Sequence, residues 1–108
     1  MTDGVIVRGT TPSLIVDFSG VDAFTVSDIT AVALTVKQRS REDVYTLDDM
    51  DIGDSTLSYH WTQQETLSMR AGEIITIDMH VTANGERYKI LGVPGTLRVE
   101  TTLYNEVL

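Results

Sequence analysis

Apolar residues recur at every second position through most of this chain, in short runs separated by turn-forming residues, so any fold open to it must give each run one dry face and one wet face. A period of two belongs to the extended strand, whose successive side chains point to opposite faces. In Ser13 to Phe18, SLIVDF, the residues Leu14, Val16 and Phe18 share one face, and Ser13, Ile15 and Asp17 the other. Pro12 ahead of the run suits a strand entry. In Ile29 to Gln38, ITAVALTVKQ, Val32, Leu34 and Val36 point inward while Ala31, Ala33, Thr35 and Lys37 point outward, and the β-branched content supports a strand.

The stretch REDVYTLDDMDIGDSTLSYHW reads as a hairpin. Val44 to Leu47 forms one arm, the Asp/Gly cluster from Asp48 to Asp54 turns the chain, and Thr56 to Trp61 returns with Leu57, Tyr59 and Trp61 on the buried face. Next comes WTQQETLSMRAGEIITIDMHV. Thr62, followed three residues later by Glu65, has the spacing of a capping box that satisfies the first amides of one helical turn, and Gly72 supplies the stop. The run EIITIDMHV then puts Ile75, Ile77, Met79 and Val81 inward and Thr76, Asp78 and His80 outward. Asn84-Gly85 is a strong tight-turn signal leading into Tyr88 to Leu91, and TLRVETTL offers Leu97, Val99 and Leu103 to the core against Arg98 and Glu100 outside. A strand, a helical turn and a second strand is the order expected where a sandwich chain crosses from one sheet to the other, with Leu67 and Met69 plugging the open end. A small closed barrel fits the same alternation.

With 108 residues the chain has room for one core, so residues 1–108 are expected to make a single domain. Hydrophobic residues at 42% and charged residues at 22% are ordinary for a folded protein. Eight basic against sixteen acidic residues give a formal charge of −8, which argues against nucleic acid and anionic membrane as partners. The absence of cysteine excludes disulfides, thiolate metal sites and a cysteine nucleophile. The opening MTDGVIVRGTTP does not read as a secretory signal, and no apolar run approaches a membrane span.

Constellations with chemical potential are few. Asp49, Asp51 and Gly53 in LDDMDIGD approach the spacing of a calcium loop, but the twelfth position is His60 rather than glutamate, so the stretch reads as a solvated turn. His60 and His80, the only histidines, fall on outward faces of strands without a third metal ligand. Ser58, His80 and Asp78 contain the residue types of a hydrolytic triad but lack a nucleophile elbow. Trp61 with Tyr59 and Leu57 could form a sugar-stacking row, yet Thr56, Ser58 and His60 opposite are polar, so the aromatic row should be core. Tyr45, Tyr88 and Tyr104 are further amphipathic aromatics. No catalytic, cofactor-binding or metal residues are assigned, no cofactor is expected, and the chain is not expected to be an enzyme.

Three stretches, VRGTTPSLIVDF, ITAVALTVKQ and WTQQETLSMRAGEIITIDMHV, resemble small phage and prophage proteins similar to the N-terminal immunoglobulin-like domain of phage baseplate upper proteins. The likeness runs to GTLRVETTLYNEVL, and its most recognisable parts are R-G-T-T-P and T-Q-x-E-T-L-x-x-x-x-G. The resemblance implies an all-β fold, an immunoglobulin-like antiparallel β-sandwich of about seven strands with one short helical turn near residues 63–70. It implies a non-enzymatic tail- or baseplate-associated assembly module, with other phage structural proteins and itself as partners. The chain would then be found in the host cytoplasm during assembly and afterwards in the virion. The sequence ends at Leu108 without a coiled-coil linker or receptor-binding portion, which fits a small accessory structural protein. Arg8, Lys37, Arg39 and Arg41 could mark a charge-complementary contact on an acidic background. The alternative is a carbohydrate- or cell-surface-binding accessory module, expected if Trp61 or the tyrosines are exposed; a small-molecule ligand is otherwise not expected.

Overall fold

A computed structural model describes residues 5–90 and 95–101. The described residues form nine strands, β1 (Val5–Val7), β2 (Ser13–Asp17), β3 (Ile29–Gln38), β4 (Arg41–Tyr45), β5 (Asp51–Ile52), β6 (Thr56–His60), β7 (Ile74–Ala83), β8 (Glu86–Lys89) and β9 (Thr96–Glu100), with one α-helical turn, α1 (Gln63–Leu67), between β6 and β7. Short 3-10 turns at Val26–Asp28 and Leu47–Asp49 precede β3 and β5. The strands form two sheets. Six make a mixed sheet in the order β1-β9-β7-β3-β4, with β8 also on β7, and three make a second sheet in the order β2-β6-β5.

This is the expected all-β sandwich, and the strand order is immunoglobulin-like: one sheet places the last strands beside the long central pair β7 and β3, and the other is a three-stranded layer. Strand number exceeds the expected seven because β1 and β5 are too short, at three and two residues, to show alternation in the sequence. The pairing is antiparallel except where β1 runs parallel to β9, with Ile6 opposite Val99.

The alternating faces fall as their pattern dictates. Leu14, Val16, Phe18, Leu57, Tyr59 and Trp61 from the smaller sheet meet Val32, Leu34, Val36, Ile75, Ile77, Met79 and Val81 from the larger in one buried cluster. Leu97 and Val99 join it; Leu103 lies outside the described residues. Each such side chain taken fully out of water stabilises the fold by about 1.5–3 kcal/mol. Met69 packs against this cluster as expected of a plug, while Leu67 is only half-buried and the inward residue of α1 is Thr66.

Two local expectations are corrected. The segment before the acidic turn does not hairpin with β6; β4 pairs with β3, Tyr45 opposite Leu34, around Arg39 with φ +56°, and the partner of β6 is the short β5. Val44 accordingly faces solvent and Tyr45 turns toward the core. Gly72 does not stop the helix, which is capped by Ser68 in right-handed conformation. With φ +82°, Gly72 instead turns the chain so that its amide bonds the Val99 carbonyl at 2.8 Å, docking the start of β7 on β9. Asn84-Gly85 behaves as read, with φ +54° and +80° joining β7 to β8.

Adjacent residues of β3 should respond oppositely to truncation. Leu34→Ala at a fully buried position should cost about 3 kcal/mol and Thr35→Ala on the outer face less than about 1 kcal/mol, by urea denaturation. Equal losses would show that the inward and outward faces of β3 have been assigned wrongly.

Candidate functional site

The corner between β6 and β7 gathers more buried polar chemistry than any other place described. Thr62 opens α1 in extended conformation, its Oγ1 accepting from the Glu65 amide at 3.2 Å while its own amide donates to Glu65 Oε1 at 2.8 Å. This is the reciprocal cap that the Thr62–Glu65 spacing predicts. The other carboxylate oxygen is also used. Glu65 Oε2 accepts from the hydroxyls of Tyr59 at 2.6 Å and Tyr45 at 2.8 Å, so one side chain of α1 ties a strand of each sheet.

Those hydroxyls stand side by side because the Tyr45 and Tyr59 rings stack at 4.1 Å, and Tyr59 meets Trp61 edge-on at 5.3 Å. Burial would push the Glu65 carboxyl up, but the bonds from Tyr59, the Thr62 amide and Tyr45 outweigh it and hold the group below its ordinary value. The tyrosines move the other way. Burial, with Glu65 as acceptor, raises Tyr45 to about 12, and burial and then the Glu65 bond raise Tyr59 well beyond the usual phenol range.

Thr66, fully buried, faces the opposite side of the corner. Its Oγ1 accepts from the Gly9 amide at 3.0 Å and donates to the Thr10 carbonyl at 2.9 Å, while Arg8 Nη2 reaches the Leu67 carbonyl at 2.7 Å. R-G-T-T-P and T-Q-Q-E-T-L, far apart in sequence, are therefore one clasp. The cleft between Glu65, Tyr45, Gln38, Ser68 and Met69 holds only about 20 Å³, room for about one water and not for an organic ligand. Gln38 closes its rim, Nε2 donating to the Arg70 carbonyl at 3.0 Å and Oε1 accepting from the Arg70 amide at 2.7 Å.

The other candidates separate. Ser58, His80 and Asp78 do not converge: His80 Nε2 pairs with Asp78 at 2.9 Å on the larger sheet, while Ser58 belongs to the smaller. A different set aligns instead, Ser13 Oγ to His60 Nδ1 at 2.6 Å and His60 Nε2 to Asp51 at 2.8 Å. It lies on the open outer face of the smaller sheet, with His60 half exposed and Asp51 79% exposed, so water solvates every member. Finding it from sequence needs the register Ser13↔His60 and Asp51↔Ser58, which are non-local facts.

Of the calcium-like residues, Asp49 accepts the Thr46 amide at 2.9 Å and Asp51 faces His60. Among the described residues no group of three or more His, Cys, Asp or Glu side chains could hold a metal ion. Trp61 is 2% exposed and is core, not a stacking platform. Tyr88 is half-buried against Phe24 at 4.9 Å, and Tyr104 lies outside the described residues. The four cations do not form one patch: Arg8 is in the clasp, Arg39 pairs with Glu73 at 2.6 Å, Arg41 with Asp43 at 3.2 Å, and Lys37 stands on the outer face of β3.

No protein-family model matches the chain, and no curated protein and no solved structure matches it.

The Glu65 clasp makes a signed forecast. A carboxyl held below its ordinary 4.5 stabilises the fold fully above that value and loses its contribution as pH falls through the lowered one. Glu65→Gln should therefore cost about 2 kcal/mol near neutrality, and its gap from wild type should narrow as the solution is acidified below 4.5 in chemical denaturation series. A gap independent of pH would show that the carboxylate charge plays no part in the clasp.

Proposed function

We propose that the chain is a non-enzymatic structural module of a phage tail or baseplate, acting through protein–protein contacts with other phage structural proteins and with itself. The observation that carries this reading is the strand order of the sandwich, since an immunoglobulin-like domain is the fold that the resemblance implies. The meeting of R-G-T-T-P with T-Q-Q-E-T-L in one buried clasp supports it: residues that carry the likeness bond to one another to hold the fold together. The working parts of such a module are its faces and edges. Flat sheet faces and unpaired strand edges are what a neighbouring subunit can cover, and Val5, Val44 and Ile74 stand about half exposed on the larger sheet.

On this reading the chain is made in the host cytoplasm and carried into the virion. Among the described residues no helix is long and apolar enough to cross a membrane. Ser13, His60 and Asp51 serve as a surface hydrogen-bond chain on this proposal, since an open sheet face supplies neither water exclusion nor donors for an oxyanion.

Mass spectrometry of purified particles from an induced culture should find peptides of this chain at several copies per particle. Its absence from particles, with the protein left in the lysate, would overturn the reading. A fluorophosphonate probe should leave Ser13 unlabelled; labelling lost in His60→Ala would make the protein a hydrolase instead.

A further inference from the structure

The two outer faces of the sandwich differ in charge. Residues 13–28 and 46–60, which build the smaller sheet and its flanking turns, contain seven aspartates and no lysine or arginine. Asp17 and Asp51 lie on that sheet's outer face beside Ile15, which is 63% exposed, and Asp48 and Asp54 are exposed at its rim. The larger sheet is the reverse. Lys37, Arg87, Lys89 and Arg98, half of the eight basic residues of the chain, point outward from β3, β8 and β9.

Among the described residues, three acids share the larger face. Asp78 sits 3.8 Å from Lys89, Glu100 sits 2.8 Å from Arg98, and Glu42 stands opposite Lys37 in the register. Arg87 donates to His80 Nδ1 at 3.4 Å, a bond that leaves its charge in place. The centre of this face combines the small side chains Ala31, Ala33, Thr35, Thr76 and Thr82 with Asp78 and His80, whose mutual bond at 2.9 Å and the contact of Asp78 with Lys89 hold the one central carboxylate beside cationic partners.

We propose that copies of this chain stack face to back, the aspartate-bearing outer face of one copy's smaller sheet lying on the lysine- and arginine-bearing outer face of the next copy's larger sheet. This deepens the assembly reading and rests on it. Charge complementarity selects the arrangement: two smaller sheets placed together would oppose aspartate to aspartate, while the larger face carries the cations that offset them. Because the two surfaces differ, the contact is heterologous, so every added copy presents a fresh face and the product is a ring or an open stack, never a closed dimer. Ile15 meets the small alanine and threonine side chains of β3, and the lysines and arginines of the larger sheet surround them.

Sedimentation velocity over a range of protein concentrations at low and high salt tests this. The wild-type chain should form species larger than a dimer at low salt that dissociate at high salt, where charges are screened within a few ångströms. Lys37→Glu with Lys89→Glu should weaken association tenfold or more, as should Asp51→Lys with Asp54→Lys, and the four changes combined should restore it because the faces become complementary again. Circular dichroism and thermal melting of every variant separate loss of association from loss of fold. A wild-type chain that stays monomeric throughout, an effect of the larger-face pair alone, or no restoration in the fourfold variant would each overturn the proposal. A protein found in particles yet monomeric in solution would sink the stacking and spare the assembly role; stacking without incorporation into particles would do the opposite.

Discussion

A sandwich chain must leave one sheet and enter the other, and each crossing strips backbone groups of their ladder partners at the moment the chain bends. This chain crosses four times among the described residues, at β1 to β2, β2 to β3, β4 to β5 and β6 to β7. Three of the crossings have the same solution. A threonine followed three residues later by an acid opens a short helical turn, and the carboxylate accepts the threonine's amide: Asp28 from Thr25 at 2.9 Å, Asp49 from Thr46 at 2.9 Å, Glu65 from Thr62 at 2.8 Å. The amide of Thr25 is the main reason that Asp28 sits below its ordinary carboxylate range.

The remaining crossing, from β1 to β2, borrows its solution from the one between β6 and β7. Gly9 and Thr10 turn the chain from β1 toward β2, and the backbone groups freed there are satisfied by Thr66 of α1. Adjacent residues of one helical turn thus do separate jobs: Glu65 binds the tyrosines of β4 and β6, and Thr66 binds the first crossing. A turn of five residues has little stability of its own. Its order comes from these tertiary bonds, which in turn hold strands of both sheets at their ends. Damage at this corner should therefore spread further than damage of equal energy in a loop.

What could be read in the sequence follows from how local each feature is. The inward faces of β2, β3, β6, β7 and β9 were legible because period-two alternation is a property of the strand alone. The partner of each strand was not. A hairpin between Val44 and Thr56 satisfies the alternation and turn-composition rules, but the Thr46–Asp49 turn carries the chain to the other sheet while β4 pairs with β3. That signal was present in the spacing, the same as at Thr62 and Glu65, and so was its copy at Thr25 and Asp28. Gly72 misled for a related reason: a positive-φ glycine after a helical turn resembles a cap, and its true partner, Val99, is 27 residues away. The clasp between Arg8–Thr10 and Glu65–Leu67 and the Ser13–His60–Asp51 chain are non-local in the same sense.

The division of labour between inside and outside bears on function. Corners, clasp and core consume the aromatic residues Tyr45, Tyr59 and Trp61 and the buried polar groups Gln38 and Thr66, leaving them little freedom to take part in recognition. The outward strand positions make no such contribution to the core and can vary in charge at small cost to stability. Placing aspartates alone on one side and half of the cations on the other is a choice the fold does not require. A chain of net charge −8 gains solubility from any distribution of its acids; a segregated one also gives it direction, since a neighbour approaching either face meets a different sign. Rigid corners preserve that difference, because a sandwich whose sheets could slide would blur the register between its charges.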